Sequence, residues 1–418
     1  MIMPPVTCRA VVLSLVLWQA QTADWPQWGG RDARNFVAEE TGLPNSFRPD
    51  RKDVANGVAT LVPGENLLWS APLGTQAYVT PAVSQGRVFI GANDALVKTP
   101  RFSRTKGSVF DCLDEATGRR LWRLVIPRLK TRNKLFNFDD LDLGLCSSPT
   151  VEGNRVYVMG SRGDVLCLDI NGQADGNEGP FTGEGQYMSD TRTFPDKPGR
   201  FGIADAPPLP APVALQSGDA DIVWRFDCNP PQNTFKDGRK LPYNKNGQGP
   251  SEIIATPVVA NGRIYVAVGQ DSRHGPGKGC LSCIDPAGEG DITEKGKVWQ
   301  CADVDRSFSS AAVTRDCLVF IADYTGILRC LDGDTGKEYW SHDLKGRVFC
   351  SPLCADGKVY IGTEAGRLTV AAAAREKSIL DEVRFNSPIY ATPVAANGTL
   401  YIASQRRLYA FRHVQREK

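Results

Sequence analysis

Histidine is scarce in this chain, with three in 418 residues, His274, His342 and His413, so general acid/base constellations have few members to draw on. There is no G-x-S-x-G, no Walker loop and no His-x-x-His spacing, which leaves hydrolase and nucleotide-binding readings without a motif. Lys and Arg exceed Asp and Glu by only 49 to 47, so no strong field favours nucleic acid or an anionic membrane. No apolar run is long enough to span a bilayer. Two adjacent cysteines are also missing, although the chain has 12 cysteines in all.

The cysteines that are present follow a pattern. Cys112, Cys167, Cys283 and Cys330 each stand directly before Leu-Asp or Ile-Asp, the behaviour of a small buried side chain in a repeated strand. Cys280 and Cys283 have the C-x2-C spacing of a zinc knuckle, but no second pair lies nearby and a strand carries them on opposite sides of the pleat. The reading is structural thiols with no metal, with one or two disulfides as the alternative; removal of Cys8 with an N-terminal leader leaves eleven cysteines, so at least one thiol is unpaired.

The first 23 residues read as an export signal. Arg9 precedes an apolar stretch from Ala10 to Trp18, and Gln19 to Ala23 follow as a short polar segment. Cleavage after Ala20 or after Ala23 is the expectation, giving a periplasmic or secreted protein. An N-terminal extension, 24–65, then precedes the repeats.

Six copies of one pattern fill most of the remainder, beginning at Pro81, Pro149, Pro257, Ala311, Pro352 and Pro393, the last three 41 residues apart. A period of about 40 to 45 residues with four short strands is the signature of a blade-by-blade architecture. In the fourth copy the strands, here a to d, run through Ala311-Ala-Val, Cys317-Leu-Val-Phe-Ile-Ala, Ile327-Leu-Arg-Cys-Leu-Asp and Tyr339-Trp-Ser-His-Asp. Asn261-Gly262, Asp356-Gly357 and Asn397-Gly398 mark tight a to b hairpins. The last copy ends after strand c, at Phe411, while Asn66 to Ala71 supplies a Trp strand with no a, b or c before it. The prediction is an all-β chain, one β-propeller over 66–412 with six four-stranded blades. The N-terminal strand completes the C-terminal blade, an insertion at 171–220 separates strands c and d of the second, and 413–418 form a basic tail.

Alternating strand direction puts a to b and c to d turns on one face and b to c and d to a connections on the other. Most long connections fall on the second face, where a binding surface is expected. Gln270, Asp271, Arg273 and His274, in a Gly-rich b to c connection, are the candidate ligand or partner contacts. Asp169, Asn171, Asp175 and Asn177 place oxygen side chains at alternate positions as a calcium loop does, but Gly at the sixth position and Glu at the twelfth are missing, so no metal is assigned. Asp139, Asp140 and Asp142 are read as paired with Lys130, Arg132 and Lys134. His342 is read as a surface or interblade hydrogen-bonder.

Leu113 to Trp122 and Leu331 to Trp340 share the pattern Leu-Asp-x-x-Thr-Gly-Arg/Lys followed by Trp. With the opening Asp24-Trp-Pro-Gln-Trp-Gly-Gly-Arg31 and the stretch Ile254 to Asp271, they resemble the tryptophan-docking repeat of the pyrroloquinoline-quinone-like propeller superfamily, including exported planctomycete-type proteins. The resemblance implies Trp packing between adjacent blades. It points to two kinds of relative, both eight-bladed where this chain shows six copies. Quinone-dependent alcohol and sugar dehydrogenases hold a calcium-bound quinone with an Asp base and, in many, an adjacent-cysteine disulfide; no quinone-site residue carries over by motif. The outer-membrane protein assembly factor is a noncatalytic scaffold that binds partners through its loops.

The expectation is therefore an exported, noncatalytic binding or scaffold protein of the cell envelope, monomeric, with protein partners, a small ligand or a glycan, and neither nucleic acid nor a membrane span. No catalytic residue and no cofactor are assigned. The alternatives are a quinone (PQQ)-dependent oxidoreductase with calcium, and a polysaccharide binder using residues such as Tyr78, Tyr187 and Tyr243.

Overall fold

The computed structural model describes residues 23–55, 58–62, 64–98, 104–128, 141–161, 165–172, 222–241, 249–269 and 279–413. The architecture is all-β. A hairpin of β1 (Arg51–Ala55) and β2 (Val58–Val62) precedes β3 (Leu67–Pro72). The first repeat forms a sheet of β4 (Ala82–Ser84), β5 (Arg87–Asn93), β6 (Ser108–Asp114) and β7 (Arg120–Ile126). The second has three strands, β8 (Thr150–Glu152), β9 (Arg155–Met159) and β10 (Val165–Asp169). Between repeats lie β11 (Trp224–Arg225), the single helical turn α1 (Pro231–Thr234) and the hairpin β12 (Phe235–Lys236) and β13 (Arg239–Lys240).

The third sheet comprises β14 (Val258–Ala260), β15 (Arg263–Val268), β16 (Cys280–Ile284) and, beyond the short β17 (Gly290–Asp291), β18 (Lys297–Cys301). The fourth and fifth are β19 (Ala312–Val313), β20 (Leu318–Ala322), β21 (Ile327–Asp332), β22 (Glu338–Asp343), then β23 (Leu353–Ala355), β24 (Lys358–Gly362), β25 (Arg367–Ala372), β26 (Ile379–Arg384). The sixth contains β27 (Val394–Ala396), β28 (Thr399–Ala403) and β29 (Arg407–Phe411), and its fourth strand is β3, paired antiparallel with β29 from Arg407↔Pro72 to Phe411↔Leu67.

Burial explains the strand sequences. The second strands of the third to sixth sheets are largely covered on both faces, so they read as apolar runs, as in the fully buried Leu318–Ala322, whereas Arg155–Met159 of the second sheet and the outer strand Ile379–Arg384 alternate with exposed positions. The hairpins need two consecutive left-handed residues, and Asn261 and Gly262 supply φ of 51° and 71° while Gln85 and Gly86 supply 52° and 73° in the first sheet.

The repeated cysteine slot faces the repeated Trp. Cys112 stands opposite Trp122, Cys283 opposite Trp299 and Cys330 opposite Trp340, each beside a β-bulge, with Ala410 opposite Trp69 in the same register. A small side chain is required where the indole lies over the strand. Every cysteine among the described residues is free, and Cys280 and Cys283 pack into separate apolar cores, as opposite faces of a strand demand. The indoles dock onto the next sheet. Trp69 Nε1 donates to Glu115 O (2.8 Å), Trp122 to Ile170 O (3.0 Å), Trp299 to Gly333 O (2.9 Å) and Trp340 to Ala374 O (2.9 Å). Glycine is needed beneath the ring, because a Cβ at Gly118 (φ 68°) would stand 2.5 Å from the Trp69 indole.

The second sheet departs from the four-stranded expectation. Trp224–Arg225 does not pair with β10; it runs parallel to β17, with Arg225 bound to Asp291, and Trp224 packs against the core of the third sheet around Cys228, Val266 and Cys280. Burying that indole on the third sheet outweighs pairing with β10 across the 171–220 insertion, whose closure carries an entropic cost. Met159 and Val165 on the second sheet are consequently exposed.

Candidate functional site

The first strands of five sheets, and the a to b turn of the sixth, converge on one segment. Trp25 exchanges backbone hydrogen bonds with Val83 of the first sheet (2.8 Å each), Pro26 O accepts from Val151 N of the second (2.8 Å) and Ala33 O from Val259 N of the third (2.9 Å). Asn35 spans Val313 of the fourth with its side-chain amide, Phe36 O and Ala38 N bracket Cys354 of the fifth, and Glu40 accepts from Asn397 N and Gly398 N of the sixth. Five of these partners occupy one repeat position, three residues after the Thr or Ser that opens each copy. The segment thereby pairs edge groups that would otherwise be left open.

The opening motif makes this possible. Gly29 and Gly30 turn the chain at φ of 71° and 73°, and Trp25 and Trp28 close on the fully buried Phe36, with centroid distances of 6.0 and 4.9 Å. The end of the first strands nearest the a to b turns is thus filled by Trp25, Trp28 and Phe36.

The other end is lined differently. Two residues before each opening Thr or Ser stand Tyr78, Cys146, Ile254, Phe308, Phe349 and Tyr390, roughly 16 Å along the strand from the filled end. Four of them form a chain of rings. Phe308 and Phe349 stack at 5.5 Å with a 3° interplanar angle, Phe349 meets Tyr390 edge-on at 5.0 Å, and Tyr390 meets Tyr78 at 5.2 Å. Tyr324, from a b to c turn, sits edge-on to both Phe308 and Phe349 at 5.4 Å.

Beneath the rings, the opening hydroxyls tie adjacent sheets together. Ser310 N donates to Ser351 Oγ (2.9 Å), Ser351 N to Thr392 Oγ1 (3.0 Å) and Thr392 N to Thr80 Oγ1 (3.1 Å). Ser310 Oγ, next in the series, is buried with no partner among the described residues.

The rim is polar and partly cationic. Arg306 lies 4.2 Å above the Tyr324 ring and Arg347 5.5 Å from it, with Arg347 also 3.6 Å from Glu364. Tyr78 OH donates to Gln76 Oε1 (2.7 Å) and accepts from Gln405 Nε2 (3.2 Å). Burial first, and Tyr390 second, push the Tyr78 phenol above its usual range; burial and then Glu364 do the same for Tyr390, so both are donors at neutral pH. Beside Cys146 a cavity of about 250 Å³ opens, lined by Lys106, Arg128, Asp142, Met159 and Ser161 among others.

The residues singled out from sequence fare differently. Gln270, Asp271, Arg273 and His274 lie outside the described residues, as do Asp175, Asn177, Asp139, Asp140, Lys130, Arg132, Lys134, Tyr187 and Tyr243. Asp142 is described, and its ion pair is with Arg104. Of the calcium-loop candidates, Asp169 accepts from Asn171 N, and Asn171 Oδ1 accepts from Arg87. Tyr78 alone of the proposed sugar contacts is placed, and it joins the aromatic chain. The aromatic position itself was missed, although Phe308, Phe349 and Tyr390 stand at the same 41-residue spacing as the repeat starts.

His342, on β22, is half-buried with Nε2 unpartnered among the described residues, and burial, followed by Lys377, lowers its pKa. A depressed histidine contributes stability that is complete above the unfolded pKa of about 6.5 and lost as pH falls through the folded value. The wild type should lose thermal stability on acidification below about pH 6.5 more steeply than His342→Gln; parallel curves of melting temperature against pH would show that His342 is not a source of that loss.

A family model described as "Outer membrane protein assembly factor BamB" matches residues 16–177 and 277–380, well over half of the chain. No curated protein matches. Among solved structures, BamB from Moraxella catarrhalis aligns at 12% identity over 87% of this chain and 75% of that one, with a TM-score of 0.31. Quinohemoprotein alcohol dehydrogenase from Comamonas testosteroni aligns at 12% identity over 95% and 82%, TM-score 0.47, and a europium-containing methanol dehydrogenase at 11% over 94% and 98%, TM-score 0.36. The extent of the family match, on a chain whose sheets repeat the Trp-docking contact, identifies it as a member of the pyrroloquinoline-quinone-like propeller-repeat family to which that assembly-factor model belongs.

Proposed function

We propose that the chain is an exported, noncatalytic binding protein of the cell envelope, built as a six-bladed disc that engages a protein partner through its aromatic mouth. The observation that carries this reading is the asymmetry of the two ends. One is filled by Trp25, Trp28 and Phe36 on backbone hydrogen bonds to the first strands, while the other presents Tyr78, Phe308, Phe349 and Tyr390, with Arg306 and Arg347 over the buried Tyr324 ring that packs edge-on against Phe308 and Phe349. Aromatic rings with arginine are the side chains enriched at the energetic centres of protein interfaces.

In this reading β3 completes the sixth sheet through β29 and the Trp69 contact, while the junction after β10 carries no strand pairing among the described residues, because Trp224–Arg225 pairs with β17. The family also contains quinone enzymes, so the mouth must be judged as a quinone and calcium site. A bound calcium takes several oxygen ligands. Among the described residues, Glu364 at the rim is already beside Arg347 and Asp142, in the cavity next to Cys146, is paired with Arg104, and no group of three His, Cys, Asp or Glu suited to a metal is present. No residue is assigned to a quinone or to calcium, and no redox step is derived. A photo-reactive amino acid at position 390 should yield envelope-protein adducts in intact cells, whereas the same group at position 32, in the filling segment, should yield none; the opposite pattern would reverse the assignment of faces.

A further inference from the structure

The filling segment ends in a buried electrostatic imbalance. Glu40 is 4% exposed, and among the described residues its carboxylate accepts only from backbone nitrogens, those of Ala23 (2.9 Å), Asn397 (3.1 Å) and Gly398 (2.7 Å). Two further carboxylates gather on the same residue, for Asn397 Nδ2 donates to Asp24 Oδ1 (3.0 Å) and Glu115 Oε1 (3.1 Å). Among the described residues, none of the three carboxylates forms an ion pair. Arg412 reaches the cluster through the carbonyl of Asn397 (3.0 Å), not through a carboxylate. A buried anion without a cation is costly, and hydrogen bonds from neutral donors compensate it only in part.

In place of the cleavage after Ala20 or Ala23 expected from the sequence, we infer that the mature chain begins at Ala23 and that its freed α-amino group is the cation of this cluster, completing the filling segment. The inference rests on the export reading above. Two independent features meet at one bond. The leader-like segment runs out at Ala20-Gln21-Thr22, a small-x-small arrangement directly before Ala23, and the nitrogen of Ala23 is the atom that touches Glu40. A leader peptidase would hydrolyse the Thr22–Ala23 peptide bond, water giving its hydroxyl to the Thr22 carbonyl carbon and a proton to the Ala23 nitrogen. That amine takes a second proton from solvent at neutral pH. One neutral N–H donor thereby becomes an ammonium with three donors, held 2.9 Å from Glu40 Oε1.

Intact-mass and N-terminal sequence analysis of the protein recovered from the periplasm of an expressing cell tests this without depending on any variant. A chain starting at Ala23 supports the inference. A start at Gln21 or Asp24 overturns it while leaving export standing, and an uncut chain overturns both. The electrostatic part has its own readout. The Ala23-initiated protein should melt several degrees higher than the same protein acetylated at Ala23, and Glu40→Gln should abolish that difference. An unchanged difference in Glu40→Gln, or none in the parent, contradicts the pairing.

Discussion

Replacing Trp69 with alanine is expected to destabilise the protein by about 3–5 kcal/mol, the range for truncating a large buried aromatic. The effect is placed there because Trp69 acts at a junction between chain ends. Its strand, β3, supplies the outer edge of the sixth sheet through pairing with β29, its Nε1 donates to Glu115 O of the first sheet, and its ring covers Gly118 and lies 6.0 Å from Tyr401. Loss of the indole removes apolar burial, an inter-sheet hydrogen bond and the cover over a glycine turn together. Urea unfolding of Trp69→Ala and Trp340→Ala makes the comparison, since Trp340 makes the same contact between the fourth and fifth sheets. Comparable losses mean that the N-terminal strand is an integral member of its sheet; a cost below about 1 kcal/mol at Trp69, as for a surface site, would mean that it is an appendage.

The scaffold was legible because its determinants are local and repeated. Asn261-Gly262 states a two-residue hairpin, and a Cys directly before Leu-Asp or Ile-Asp states a small side chain, found opposite Trp122, Trp299 and Trp340. The pairing of β3 with β29 could be anticipated because both halves of a broken repeat were visible at the two ends of the chain. Trp224 shows where this logic fails. Its sequence resembles a fourth strand, but its position depends on a long insertion and on competition between the free edge of β10 and the apolar face of the third sheet, neither of which a local pattern encodes.

The functional end was less legible for a related reason. Phe308, Phe349 and Tyr390 look like ordinary strand-start residues until several copies are compared, while Gln270 to His274, the polar positions read from the sequence, lie outside the described residues. The filling segment was opaque for the opposite reason. Trp25, Ala33, Asn35 and Phe36 reach four different sheets, contacts with sequence separations that no periodicity announces.

Removing the stacked pair should cost the largest share of binding. Phe308 and Phe349 lie parallel at 5.5 Å and both contact Tyr324, so truncating them dismantles the centre of the aromatic chain while leaving Tyr78 and Tyr390 at its end. Central aromatic anchors contribute about 2 kcal/mol or more each when truncated. A tenfold change corresponds to about 1.4 kcal/mol, so the double variant Phe308→Ala/Phe349→Ala, at about 4 kcal/mol, should weaken partner binding by roughly 1,000-fold. Arg306→Glu/Arg347→Glu, which keeps the rings and reverses the rim charge, should weaken it as well and separates recognition from packing. Melting temperatures of both variants are read alongside, because Phe308 and Phe349 are themselves half-buried.

The most direct measurement is the yield of the partner adduct formed through a photo-reactive group at position 390, compared between the parent and Phe308→Ala/Phe349→Ala under conditions where both are folded. The account predicts near-complete loss of the adduct in the double variant. An undiminished yield from a folded double variant would contradict the assignment of binding to the aromatic mouth.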